Sequence, residues 1–342
     1  MYSQTIWIIY DCPIATCTKL WLRDGLISNG YDVKTIEYKK RISHIEQRGK
    51  VGKILARMIT LGQCMKAIAL SKNGDLIICW SQYAGLLINL VPGVSKRRII
   101  SFNWLTPNSH SSMKWLYAKA LRNKQFTAVI NAESTKGALA EAYGVQDCNT
   151  IFIPDVFDDK LTFRPHEWSN QSERYVFMGG RAYRDWNMFF EMARRFPDIG
   201  FCGVAPSAGW DNLGDIPKNV TMHFDVSESE YYRLMEHAYI TMLPLTENKV
   251  AGLINIARSI QYGVIPLTSD IEATRMYYPD KYSNMLVSID AVDEFYQALL
   301  QVYDYSSEKY DEIISDMQRY LDEHFSPQTA IEELCKIIGA FL

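Results

Sequence analysis

Several things are missing from this 342-residue chain, and each absence narrows what it can be. No apolar run reaches 18 residues. The nearest, "AGLLINLVPGV", is too short and contains Pro92, so no membrane-spanning helix is expected. The start, "MYSQTIWIIYDC", has no basic stretch ahead of its apolar run and does not read as a signal peptide. The seven cysteines, at 12, 17, 64, 79, 148, 202 and 335, are odd in number and match no zinc spacing. They read as reduced core residues of a cytoplasmic protein. The six histidines do not cluster, so no metal site is expected, and no dinucleotide G-x-G-x-x-G motif occurs.

What is present is the balance of a globular protein, 48% hydrophobic and 22% charged, long enough for two domains. The net charge of -3 hides an asymmetry. From Lys34 to Lys72 ten Lys/Arg stand against two Glu, a local +8; from Asp290 to Leu342 twelve acids stand against three bases, a local -9. The acidic total argues against nucleic acid as a partner. The basic segment contains "ILARMITLGQCMKAIAL" (54–70), apolar at helical spacing, with Lys50, Lys53, Arg57 and Lys66 around it. It reads either as a helix packed on a sheet with solvated lysines or as a helix that lies on an anionic membrane.

Short β-rich runs alternate with helical patterns. "IWIIY", "YDVKTIEY", "DLIICW", "RRIISFNW", "FTAVINA" and "TIFIPDVF" are expected strands of one half. "YVFM", "IGFCGV", "NVTMHF", "YITML", "VIPLTS" and "NMLVSI" are those of the other. Continuous apolar strands separated by helices imply parallel sheets covered on both faces. The polar stretch 158–173 reads as a linker. The expected organisation is an N-terminal domain over 1–157, a second domain over 174–325, and a last helix over 326–342 that packs back on the first domain. Ligands of such sheets sit at the carboxyl ends of the strands, and the cleft between two such domains is the natural site.

Two loops carry the chemistry. In "YVFMGGRAYRDW" (175–186) an apolar strand stops at Gly179 and Gly180, with Arg181 and Arg184 next to them. Glycines let backbone amides approach a ligand, and arginines present paired donors to phosphate oxygens. The plain alternative is a tight turn with solvated arginines. Asp185 reads as the cap of the following helix. In "LPLTENKVAGLINIARSIQYGVIPLTSD" (243–270) the loop before a helix holds Glu247, Lys249 and Gly252. Amides there can receive phosphate, and the acid can bind ribose hydroxyls. A nucleoside diphosphate suits the pair of loops better than NAD.

The order of motifs from 126 to 342 resembles that of GT-B glycosyltransferases, in particular the retaining branch with a group 1 type donor domain. "AVINAESTKGALAEAYGVQDCNTIFIPDVFDDKLTFRP" is similar to the end of that family's first domain, and "YVFMGGRAYRDW" to its glycine-arginine loop. "GLINIARSIQYGVIPLTSD" and "HFSPQTAIEEL" are similar to its later helices. The resemblance implies two doubly wound Rossmann-like domains facing a central cleft, and transfer of a sugar from a nucleotide-sugar donor to a glycan or lipid-linked acceptor without a metal. It places Gly179, Gly180, Arg181 and Arg184 at the diphosphate, and Gly252, Leu253 and Ile254 at the helix start that receives phosphate. Val226 falls near the base. The family's two glutamates seven residues apart are absent: Arg258 stands in place of the second, the first falls near Val250, and Glu247 is the nearby acid. Asp11, after the first strand, is the candidate base for an acceptor hydroxyl, against a plain reading as a turn residue before Pro13; His110 is another. A nucleotide-sugar 2-epimerase and a non-catalytic sugar-nucleotide binding protein remain alternatives. Surface polysaccharide or glycolipid synthesis at the inner face of a membrane is the expected setting.

Overall fold

The computed structural model describes residues 4–11, 20–37, 50–104, 113–156, 174–208 and 215–341. The expected linker over 158–173, His110 and the basic residues of 38–49 lie outside them. The chain divides into two compact units, Met1–Asp158 with Phe325–Leu342, and Asp159–His324.

The first unit runs β1 (Thr5–Tyr10), α1 (Leu20–Ser28), β2 (Asp32–Glu37), α2 (Lys50–Leu70), β3 (Leu76–Cys79), α3 (Gln82–Ile88), β4 (Arg98–Trp104), α4 (Lys114–Leu121), β5 (Phe126–Ile130), α5 (Ser134–Tyr143) and β6 (Thr150–Phe152). Its six strands lie in the order β2-β1-β3-β4-β5-β6, every pair parallel. Side chains alternate across a strand, so both faces must be covered. Trp7 and Ile9 of β1 enter one core cluster, with Ile77, Cys79 and Ile99. Ile6, Ile8 and Tyr10 enter the other, with Leu76, Ile78 and Ile100. This double burial is why the strands are apolar throughout rather than alternating.

The second unit runs β7 (Tyr175–Gly179), α6 (Trp186–Arg195), β8 (Gly200–Ala205), β9 (Val220–Phe224), α7 (Glu228–Glu236), β10 (Ile240–Leu243), α8 (Leu253–Gln261), β11 (Ile265–Ser269), α9 (Glu272–Arg275), β12 (Leu286–Val287), α10 (Val292–Tyr303) and α11 (Ser307–Phe325). Its sheet is also parallel, in the order β12-β11-β10-β7-β8-β9. The strand expected over "NMLVSI" shrinks to two residues, because a 3-10 turn over Asp280–Met285 occupies the chain before it. The last helix, α12 (Pro327–Phe341), packs in the first unit against α1. Gly25 makes the close approach possible: a Cβ there would lie 2.5 Å from Ile331 Cγ1.

In each sheet the strand order reverses once. The reversal falls between β1 and β3 in the first unit and between β7 and β10 in the second. Helices leaving neighbouring strands on opposite sides open a crevice there, at the carboxyl ends.

Candidate functional site

At the reversal point of the second sheet, the two loops singled out in the sequence are joined. Arg184 and Leu245 form an antiparallel bridge. The Asp185 amide donates to Pro244 O at 3.0 Å, and the Thr246 amide to Tyr183 O at 3.1 Å. Lys249 ion-pairs with Glu247 and lies over the Tyr183 ring, 4.9 Å from its centroid. Leu245 is anchored from below, its amide donating to Ser269 Oγ at 2.9 Å. Asp185 caps α6 by accepting from the Met188 amide.

Arg184 is the centre of this wall. Its Nε donates to Gly179 O at 2.9 Å and its Nη1 to Ala182 O at 3.0 Å. Both glycine loops touch the guanidinium: a Cβ on Gly180 would lie 2.8 Å from Nε, and one on Gly252 3.0 Å from Nη2. Gly180 (φ 136°) and Gly252 (φ 81°) also hold backbone angles that a side chain would strain. Among the described residues no carboxylate pairs with Arg184 and its Nη2 has no acceptor. Burial pulls this guanidinium below its ordinary range, with Tyr231 opposing the shift. A desolvated cation held by neutral carbonyls is the arrangement that gains most from an arriving anion.

Gly252 also starts α8, with no side-chain cap on its first turn. The opening amides of a helix have no intrahelical acceptor, and its dipole favours negative charge there. Leu253 is buried and Ile254 exposed at this start. The wall therefore carries one half-buried arginine and one uncapped helix start, side by side.

Gly179 and Gly180 also have packing roles that the sequence did not mark. The Gly180 amide donates to Val204 O at 3.2 Å and is not directed at a ligand. Gly179 leaves room for Tyr231, whose hydroxyl would be 2.4 Å from a Cβ. Tyr231 and Asn255 were not anticipated. Asn255 Nδ2 donates to Gly179 O at 2.9 Å and to Tyr231 Oη at 2.7 Å, fixing the strand end that holds Arg184. The available signal was a buried asparagine among Leu253, Ile256, Ala257 and Ile260 on α8. Burial pushes the Tyr231 hydroxyl up to about 12, so it is neutral at any ordinary pH.

Of the remaining site residues, Arg181 and Glu247 belong to the two clasped loops, and Val226 and Arg258 lie outside them. Arg181 is exposed and makes no side-chain bond among the described residues. Glu247 is exposed and tied to Lys249. Val226 lies between the edge strand β9 and α7, packed against Phe177, Val204 and their cluster. Arg258 donates to Gln261 Oε1 at 2.9 Å and lies over Tyr232, 5.6 Å from the ring centroid.

The reversal point of the first sheet has different chemistry. Asp11 follows β1, Ser81 follows β3, and the Ser81 hydroxyl donates to the Asp11 carboxylate across it. Ser81 also caps α3, accepting from the Ala84 amide. Trp80 is half-buried, stacked on Phe102 at 6.0 Å and 16°, with Tyr10 and Trp21 against it. Asn103 (φ 59°) holds the Trp80 carbonyl at 2.7 Å. Further along this rim Asn131 Nδ2 donates to Asp155 at 3.3 Å, and burial raises the Asp155 carboxyl above its usual range against that bond. Ser81, Asn131 and Asp155 had no motif to mark them.

No family model matches the sequence, and no curated protein matches it either. Solved structures match it along its whole length. Anabaena HepE, in complex with UDP and glucose, is 13% identical, covers 98% of this chain and 100% of its own, and has a TM-score of 0.65. The E. coli trehalose-6-phosphate structure bound with UDP-2-fluoro glucose is 10% identical, covers 99% of each chain, and has a TM-score of 0.68. A glycosyltransferase from Rickettsia africae is 11% identical, again with 99% of each chain covered, at 0.67. Likeness at this identity carries the fold: the chain has the GT-B fold, two Rossmann-like domains.

Proposed function

We propose that the chain is a glycosyltransferase that moves a sugar, of the hexosyl type, from a nucleoside diphosphate to a glycan or lipid-linked acceptor, in surface polysaccharide or glycolipid synthesis. The observation that carries this reading is Arg184: a desolvated guanidinium without a carboxylate, wedged between the glycine loop and the uncapped start of α8. The UDP and UDP-sugar held by the similar structures support the donor class.

Transfer breaks the bond between the sugar's anomeric carbon and the diphosphate oxygen, and negative charge grows on the departing diphosphate. Donors already aimed at that charge stabilise the transition state without reorganising. Arg184 Nη2 and the Leu253 and Ile254 amides are such donors, and Arg181 supplies a second, exposed cation at the same loop. Gly179, Gly180 and Gly252 act by shaping the seat of Arg184. Glu247 meets the ribose hydroxyls and Val226 the base. Arg258, where the retaining branch has a glutamate, takes no acid role. Asp11 accepts the proton of the acceptor hydroxyl, held in place by Ser81. Fixed positive charge does the work that a metal would otherwise do, so turnover should persist in EDTA.

The test is incubation with UDP-, GDP- and ADP-sugars, with and without glycan or lipid-linked acceptors. A transferase releases diphosphate quickly only when an acceptor is present. Conversion of the sugar without any acceptor would instead identify an epimerase, and tight binding without turnover a non-catalytic binding protein. Activity lost in EDTA and restored by Mn²⁺ would overturn the metal-free mechanism.

A further inference from the structure

The long helix α2 has the wrong side for an ordinary surface helix. Its inward face, Thr60, Gln63, Cys64, Ala67 and Ile68, is buried in the first domain. Its outward face should then be polar. Instead it carries Val51, Ile54, Leu55, Met58 and Met65, exposed by 80%, 57%, 45%, 65% and 56%. The spacing of 51, 54, 55, 58 and 65 puts all five on one stripe, opposite the buried one. Gly62 lies on the same stripe with open space where a Cβ would be. A contiguous exposed apolar stripe marks a surface that something covers.

Charge selects the cover. From Lys50 to Leu70 the helix has no acidic residue, and Lys53, Arg57 and Lys66 are exposed on it. No residue from Val51 to Ile59 is buried, so the first turns stand clear of the core and present both apolar and basic side chains to solvent. Arg57 lies over the exposed Tyr83 ring, 5.8 Å from its centroid. A second copy of this chain on the same stripe would bring two acid-free basic helices together, which is unfavourable. An anionic lipid surface offers an apolar layer to the stripe and headgroups to Arg57 and Lys66, which flank it on either side, while the helical spacing turns Lys53 away. The helix is not apolar enough to cross a membrane, so it would lie along the surface.

We propose that the outward face of α2 seats the first domain on an anionic lipid surface. This rests on the surface of that domain and stands apart from the transferase reading, because neither its residues nor its test involves the diphosphate wall.

The full-length protein should co-sediment with mixed phosphatidylcholine–phosphatidylserine vesicles at low salt, poorly with phosphatidylcholine alone, and less as salt is raised. Replacing two exposed apolar residues, Ile54→Gln with Met58→Gln, should lower partitioning by at least about tenfold. Arg57→Gln with Lys66→Gln should lower it by about fivefold per charge. Melting temperature and nucleoside diphosphate affinity should not change, since these side chains are exposed and on the other domain. Wild type remaining in the supernatant at low salt would overturn the proposal. So would an Ile54/Met58 variant that binds like wild type, or a wild-type dimer in light scattering that this variant splits, which would assign the stripe to a second copy.

Discussion

The two sheets share a plan and differ at their reversal points. At the second, between β7 and β10, the loops are clasped by backbone bonds around one arginine and an uncapped helix start. At the first, between β1 and β3, the cap of α3 is filled by Ser81, a carboxylate takes the position next to it, and aromatic rings line the rim. An uncapped helix beside a lone cation suits an anion; a capped helix beside a carboxylate repels one and suits a hydroxyl-bearing, neutral molecule. Two six-stranded parallel sheets that each reverse once thus carry two opposite sites, and the difference comes from a handful of loop residues.

The comparison breaks hardest at Asp11. If the first rim handles the acceptor, Asp11→Asn should lower turnover by about 10²–10⁴-fold, the range for a lost general base. Nucleoside diphosphate affinity should stay at the wild-type value. A variant that turns over normally would make Asp11 a turn residue held by Ser81 and nothing more.

The glycine seats come next. Gly179→Ala forces Tyr231 out of contact, and Gly180→Ala adds backbone strain to a clash with Arg184. Each should cost about 1–3 kcal/mol of stability, read from denaturant unfolding. Gly180→Ala should also weaken diphosphate binding, because it displaces the arginine itself. Equal effects of both variants on binding would mean that Arg184 is not the point of contact.

Arg181 provides the finest distinction. It is exposed and unpinned, so Arg181→Ala should weaken diphosphate binding by about 0.5–1 kcal/mol, as for a screened surface contact. Titration calorimetry at two salt concentrations should show this small effect shrinking as salt rises. A loss as large as that from Arg184 would remove the difference between the two arginines.

Much of this was legible in the sequence. Runs such as Ile6–Tyr10 and Leu76–Cys79 are apolar throughout because both faces of a parallel sheet are covered, and this sets the fold class directly. The two loops were legible as a glycine-marked strand end and a glycine-marked helix start. Which arginine matters was not, because the answer depends on Gly180 and Gly252 meeting the same guanidinium across 72 residues of chain. The packing role of Gly179 was illegible for the same reason: its partner is Tyr231, on another helix. Periodicity marked 54–70 as an amphipathic helix, yet only packing reveals that its apolar residues lie on two opposite faces.

The central claim is that the second domain's rim binds a diphosphate through Arg184. Titration calorimetry of UDP and of GDP into wild type, Arg184→Ala and Arg184→Lys tests it most directly. Arg184→Ala should weaken the nucleotide that binds by about 1.5–3 kcal/mol, with the fold intact by circular dichroism. Arg184→Lys should recover part of the loss, since it restores the charge but not the paired donors. Unchanged affinity in Arg184→Ala, for a nucleotide that wild type binds, would contradict the account.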